Sequence, residues 1–328
     1  MPRCLDVLLY GPGSIGAFYA FILHRSPRVR LFVVARSGYE AIKLNGITVK
    51  SDSHGEHIFR PVQVFRQPSD AKRVFDYVVC TNKAIESERV ARDLAPVVDV
   101  GRTTFALMQN GIGIEEPFRK AYPTCPILSG VVWVGGAQLS PGVVHHYPPE
   151  NTEIGLFESQ DINATVQQES LDQFVSCFRE GGTPVQVLPN IQTARWKKTI
   201  WNMAWNSITT LTSWNTASWL SSSTFAVPLT RTLMAEGISV AKALRIPEVD
   251  DDLLDEFLTK INQLGPIYSS MYYDSKFGRP MEVEAIFGTA VRKGRELGVS
   301  TPTLGLVYGL LLAIDARMTL DRNKGEEA

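Results

Sequence analysis

Three polar residues recur at i, i+4 and i+8 in the segment RWKKTIWNMAWN, residues 195–206: Lys198, Asn202 and Asn206. On a helix they occupy one face. An ammonium and two carboxamides are costly to bury in an ordinary core. The stripe therefore either faces water or surrounds a polar ligand. Two asparagines flanked by tryptophans fit the ligand better than the Glu/Lys pattern of a solvated face. Trp201 and Trp205, also i and i+4, are expected on the core-facing side.

A second constellation lies near the N-terminus. Gly11-Pro12-Gly13-Ser14-Ile15-Gly16 matches G-x-G-x-x-G after an apolar strand and before an apolar helical stretch. Gly11 permits the tight turn, Gly13 lets the backbone approach a pyrophosphate, and Gly16 lets helix and strand pack closely. The helix N-terminus offers unpaired N–H groups and partial positive charge to phosphates. The next strand ends at Ala35-Arg36-Ser37, where an NAD site usually carries an acid. Arg36 would instead attract the 2′-phosphate of NADP; the alternative is a solvated surface arginine. His145 and His146 are adjacent, and neighbours on a strand point to opposite faces, so they are expected not to share a metal ion. No Ser/His/Asp or paired-carboxylate pattern suggests a hydrolase.

These residues need a frame to hold them. The chain has 328 residues, which suits two domains, and 44% of them are hydrophobic. Lys+Arg 33 against Asp+Glu 34 gives a net charge of −1, which argues against a basic nucleic-acid binder or a polybasic membrane protein. Cys4, Cys80, Cys125 and Cys177 are far apart in sequence, as expected of free thiols in a reducing, cytoplasmic setting. No signal peptide and no apolar run of about 18 residues are evident. Strands are expected at 5–10, 30–35, 75–80, 103–108, 127–134, 143–147, 153–156 and 185–188, with helical text between them. Helices follow at about 191–211, 227–243, 250–264, 281–297 and 303–316. The expected fold is thus α/β: a Rossmann-type dinucleotide-binding domain over 1–189, then an all-helical domain over 190–328.

The chain resembles the ketopantoate reductase (2-dehydropantoate 2-reductase) family along nearly its whole length. The glycine turn and Arg36 match that family's cofactor site, and Thr81-Asn82-Lys83-Ala84 resembles its lysine-alanine segment beside the cofactor. Gln109-Asn110-Gly111 matches its asparagine loop near the nicotinamide. Trp196-Lys197-Lys198 with Asn202 resembles W-x-K-x-x-x-N, which puts Lys198 and not Lys197 at the catalytic position. Ser269-Ser270-Met271-Tyr272-Tyr273-Asp274 resembles S-S-M-x-x-D, and Glu282 stands where the family keeps its active-site glutamate.

The resemblance implies an NADPH-dependent oxidoreductase that reduces ketopantoate to pantoate in pantothenate synthesis, with its active site between the two domains. Lys198 and Glu282 would be catalytic: Lys198, as an ammonium, would polarise the substrate carbonyl and then protonate it, and Glu282 would either hold the lysine or bond a substrate hydroxyl. Asn110, Asn202, Asn206 and Ser270 would bind substrate. Gly11, Pro12, Gly13, Ser14, Ile15, Gly16, Arg36, Lys83 and Asn110 would bind NADPH/NADP+, and no metal is implied. The partners expected are a small-molecule 2-keto acid and, as an assembly, a homodimer. Departures from the pattern are Tyr147-Pro148-Pro149-Glu150 in place of a glycine-rich turn and Ser207 in place of a proline. The alternatives are a family reductase for another bulky 2-keto acid and a non-catalytic NADPH-binding regulator.

Overall fold

The computed structural model describes residues 3–326. It divides into two compact units, one of Met1–Gln109 with Ile114–Ile191, the other of Asn110–Gly113 with Gln192–Ala328. The four-residue segment after Gln109 thus groups with the helical unit, although chain order alone assigned it to the first.

The first unit is built on one mixed sheet. Its strands are β1 (Leu5–Tyr10), β2 (Val29–Val34), β3 (Ile47–Ser51), β4 (Gly55–Phe59), β5 (Gln63–Phe65), β6 (Tyr77–Cys80), β7 (Thr104–Met108), β8 (Ile127–Ser140), β9 (Val143–Leu156) and β10 (Val185–Val187). Their order is β4-β3-β9-β8-β7-β6-β1-β2-β5, with β10 beside β9. The run from β5 to β8 is parallel, while β8–β9 and β3–β4 are antiparallel. Helices α1 (Ser14–Arg25), α2 (Tyr39–Asn45), α3 (Ser87–Asp93), α4 (Glu116–Ala121) and α5 (Ala164–Gly181) connect or cover it. Every residue of β1 is buried, as a central parallel strand requires. Asp6 breaks its apolar run without cost to the strand, because Arg30 holds the carboxylate at 2.6 Å and Arg73 also pairs with it. Chain order reverses between β1 and β6, the crevice where such sheets bind ligands.

The sequence splits β9 in two at its prolines, yet the strand is continuous. The register passes from Gly135↔Tyr147 to Val134↔Glu150, so Pro148 and Pro149 fall in a bulge. A bulge needs no ladder N–H from them. Sequence reading also left out β3, β4, β5 and α5. His145 and His146 do face opposite ways. His146 is 1% exposed and stacked on Phe18, with burial lowering its pKa, while His145 reaches Asp52 at 2.8 Å.

The second unit holds α6 (Ile191–Thr212), α7 (Thr216–Leu220), α8 (Ala226–Ala243), α9 (Leu253–Leu264), α10 (Ser270–Lys276), a π-helical turn (Glu284–Gly288), α11 (Thr289–Glu296) and α12 (Pro302–Glu326). Gly237 of α8 lets that helix approach Met203 and Ile200 of α6, since a Cβ there would lie 2.9 Å from Met203 Sδ. Glu236 caps α12 by accepting from the N–H groups of Thr303 and Leu304, which complements the positive helix start. The helix expected over 281–297 begins later and opens with the π-turn. Trp201 and Trp205 are buried and meet edge to face at 5.6 Å, with Phe257 of α9 against Trp201. Helix α12 is longer than expected. By length and composition its Pro302–Arg322 span could cross a membrane, and 22% of its most apolar stretch is buried. Leu304, Val307, Leu311 and Met318 bury a packing seam at helical spacing, and Leu306, Leu310 and Leu320 remain exposed.

Candidate active site

The glycine turn sits at the C-terminal end of β1. Gly13 caps α1, and the carbonyl of Gly13 accepts from Ala17 N at 2.8 Å to start the helix. A Cβ on Gly16 would lie 2.2 Å from the Gly11 carbonyl oxygen, so only glycine allows this helix-to-turn contact. A Cβ on Gly13 would meet nothing within 4 Å, leaving an open cradle over the first N–H groups of α1. That is the shape and polarity a pyrophosphate needs. Thr81 N and Asn82 N donate to the Tyr10 carbonyl, and Thr81 Oγ1 donates to Gly11 O at 2.9 Å. These bonds dock the loop of Lys83 against the turn. Arg36 stands exposed just after β2, the neighbour of β1. The first unit thus gathers Gly11–Gly16, Arg36 and Lys83 at the carboxyl ends of three adjacent strands.

In the second unit, one carboxamide joins two of the predicted site residues. Asn110 Oδ1 accepts from Lys198 Nζ at 3.0 Å, and Asn110 Nδ2 donates to Glu282 Oε2 at 3.0 Å. With one group donating and the other accepting, the amide has only one sensible orientation. The segment bearing Asn110 is itself anchored. Ile112 N donates to Ala285 O at 2.9 Å, and Arg195 Nη1 donates to Gly111 O at 2.8 Å. Gly111 has φ +93°, and a Cβ there would lie 2.5 Å from the Ala285 carbonyl oxygen. Ala285 belongs to the π-turn, an irregularity often found at functional sites.

Asn202 and Asn206 continue the Lys198 stripe along α6. They are 9% and 4% exposed, and their side chains make no hydrogen bond among the described residues. Of the serine pair, buried Ser269 is taken up structurally: it caps α10 through Tyr272 N and bonds Thr209 at 2.7 Å. Ser270 is exposed and its hydroxyl is not used in that cap. The Ser269–Thr209 bond fixes this serine pair beside the C-terminal half of α6. Ser207, standing where the resemblance expected proline, donates its hydroxyl to the Met203 carbonyl at 2.6 Å within α6. Sequence reasoning missed Arg195, although it lies three residues before Lys198 and therefore on the same face.

A glycine-turn sheet unit followed by a helical unit bearing a lysine–asparagine–glutamate cluster defines a class of two-unit dinucleotide-dependent oxidoreductases. Residues 7–159 match the family described as ketopantoate reductase PanE/ApbA, and residues 190–315 match the ketopantoate reductase PanE/ApbA C terminal family. The chain belongs to the ketopantoate reductase family. It is similar to the 2-dehydropantoate 2-reductase of Methylococcus capsulatus, with 30% identity, a TM-score of 0.84, and 96% of this chain and 98% of the other covered. The dimeric ketopantoate reductase of Staphylococcus aureus is 26% identical with a TM-score of 0.75, over 96% of this chain and all (100%) of that one. A D-mandelate dehydrogenase solved with NADH and anilino(oxo)acetate shares the fold at 21% identity and a TM-score of 0.83, over 96% and 100% of the two chains.

Proposed function

We propose that the protein reduces a 2-keto acid with NADPH, and that ketopantoate, giving pantoate for pantothenate synthesis, is its leading substrate. The observation that carries this reading is the chain Lys198–Asn110–Glu282. Bound NADPH would supply the hydride to the C2 ketone. Lys198, as an ammonium, polarises that carbonyl and donates a proton at Nζ to the alkoxide oxygen. Glu282 stabilises the charged cluster through the Asn110 amide. Asn202 and Asn206, buried with unused carboxamides, suit the substrate's distal hydroxyl. Ser270 offers an exposed hydroxyl to its carboxylate. A regulator that only binds cofactor would not need this set.

The turn and Lys83 hold the dinucleotide, and Arg36 selects NADPH by pairing with the 2′-phosphate. Arg36→Asp is expected to weaken NADPH binding by roughly 1.5–3 kcal/mol, the worth of a charge-assisted contact, and NADH binding much less. Fluorescence titration of both cofactors checks this; equal loss for both would remove Arg36 from recognition of the phosphate. The exposed leucines of α12, together with the dimeric relative, support a homodimer that covers that helix. Leu306→Glu with Leu310→Glu is expected to convert a dimer to monomers in analytical ultracentrifugation. Wild-type protein that sediments as a monomer at micromolar concentration would contradict it.

Steady-state NADPH oxidation with ketopantoate and a panel of bulky 2-keto acids, an aryl one included, tests the reading. Turnover of ketopantoate best supports it, and a preference for the aryl acid would move the substrate while keeping the reaction. The mandelate-type relative of the same fold is the reason to include that acid. No turnover with any member of the panel would favour the regulator.

A further inference from the structure

Arg195 is among the largest fully buried side chains, at 2% exposure, and sits at the start of α6 one turn before Lys198. A guanidinium so deep is costly unless its hydrogen bonds fix something. Its Nη1 donates to the carbonyl of Gly111, the residue next to Asn110. On one helix face, therefore, Arg195 grips the backbone of this segment and Lys198 grips its side chain. Gly111 cannot relax around that grip, because its φ is +93° and Ala285 leaves no room for a Cβ. On the far side, Ile112 N is bonded to Ala285 O in the turn that follows Glu282. The segment is thus held at both ends, and Asn110 is left one place to stand, between the ammonium and the carboxylate.

We propose that Arg195 is a positioning residue for the reduction: it fixes the Gly111 carbonyl and thereby keeps the Asn110 amide bridging Lys198 and Glu282. It touches none of the reacting atoms. Loss of its donor frees the backbone at Gly111, lets the amide rotate, and breaks the bond from Lys198 Nζ to Asn110 Oδ1. The inference rests on the reductase reading for its kinetic test, but its geometry stands apart from the identity of the substrate.

The test uses the full-length enzyme with whichever 2-keto acid it turns over. Arg195→Met is expected to lower kcat about 10- to 100-fold with less than a threefold change in KM for the cofactor. Arg195→Lys, which keeps a charged donor, should recover activity to within about fivefold of wild type. Asn110→Ala should itself lower kcat, and adding Arg195→Met to it should cost less than about twofold more, because the path through Asn110 is already gone. The full 10- to 100-fold loss persisting in the Asn110→Ala background would overturn the proposal. If Arg195→Met does not fold, Arg195→Gln replaces it under the same limits. If the wild type reduces no 2-keto acid, the functional reading fails, and crystal structures of the variants decide this one. Asn110 Oδ1 still 3.0 Å from Lys198 Nζ without the arginine would overturn it, and its departure would support it.

Discussion

Lys198→Ala is expected to lower kcat by roughly 10²–10⁴, the range for removing a positioned general acid, with little change in cofactor affinity. The glycine turn proposed to hold the phosphates belongs to the other unit, so phosphate binding is expected not to depend on this lysine. Its neighbour supplies the control. Lys197 pairs at 3.7 Å with Glu248, which is 78% exposed, and such surface pairs contribute about 0–1 kcal/mol. Lys197→Ala should therefore leave kcat within about twofold and stability nearly unchanged. Because the Asn110 carboxamide bonds both Lys198 and Glu282, Lys198→Ala with Glu282→Ala should be less impaired than the sum of the single losses. Full turnover in a folded Lys198→Ala enzyme would remove the ammonium from the chemistry and turn attention to Lys83 as proton donor.

Gly111→Ala is expected to be the most damaging single methyl in the helical unit. The left-handed backbone conformation costs a non-glycine residue roughly 1–2 kcal/mol. The added Cβ would lie 2.5 Å from both the Cβ and the carbonyl oxygen of Ala285. Overpacking of that kind typically costs about 1–3 kcal/mol. A loss of roughly 2–5 kcal/mol in unfolding free energy follows from the two principles together, read by chemical denaturation. Movement of Asn110 should also lower kcat more than tenfold under conditions where the protein stays folded. Gly298→Ala separates the two causes, since φ there is +71° and no atom lies within 4 Å of its Cβ position. It should show the conformational cost alone and leave kcat intact. Equal effects for the two variants would mean that the contact with Ala285 is unimportant.

Much of this was legible in the sequence because the signals are local. The glycine turn announces itself through three glycines at fixed offsets between a strand and a helix. The stripe of Lys198, Asn202 and Asn206 follows from helical spacing alone, and α6 spans Ile191–Thr212 against an expectation of 191–211. What escaped reading depends on distant partners. Asn110 joins the helical unit through bonds to Lys198, Glu282 and, at Ile112, Ala285, none of which is near it in the chain. Arg195 shares the face of Lys198, but its bond reaches Gly111, 84 residues away in the chain. The continuity of β9 was hidden because two prolines read as a strand break, and only the pairing with β8 shows that they occupy a bulge. Helix α5 is a different kind of omission. Leu171, Phe174, Val175 and Phe178 follow helical spacing and are buried, and Asn163 caps the helix, so its signal was present in the sequence.

The proposed reaction moves a hydride from NADPH to the C2 carbon of a 2-keto acid, with Lys198 supplying the proton. Incubating the enzyme with ketopantoate and NADPH deuterated at the transferring C4 position tests it most directly. The expected product is pantoate carrying one deuterium at C2, formed at least about a hundredfold more slowly by Lys198→Ala at saturating substrate. Pantoate without the label, or no reduced product from ketopantoate or any other 2-keto acid, would contradict it.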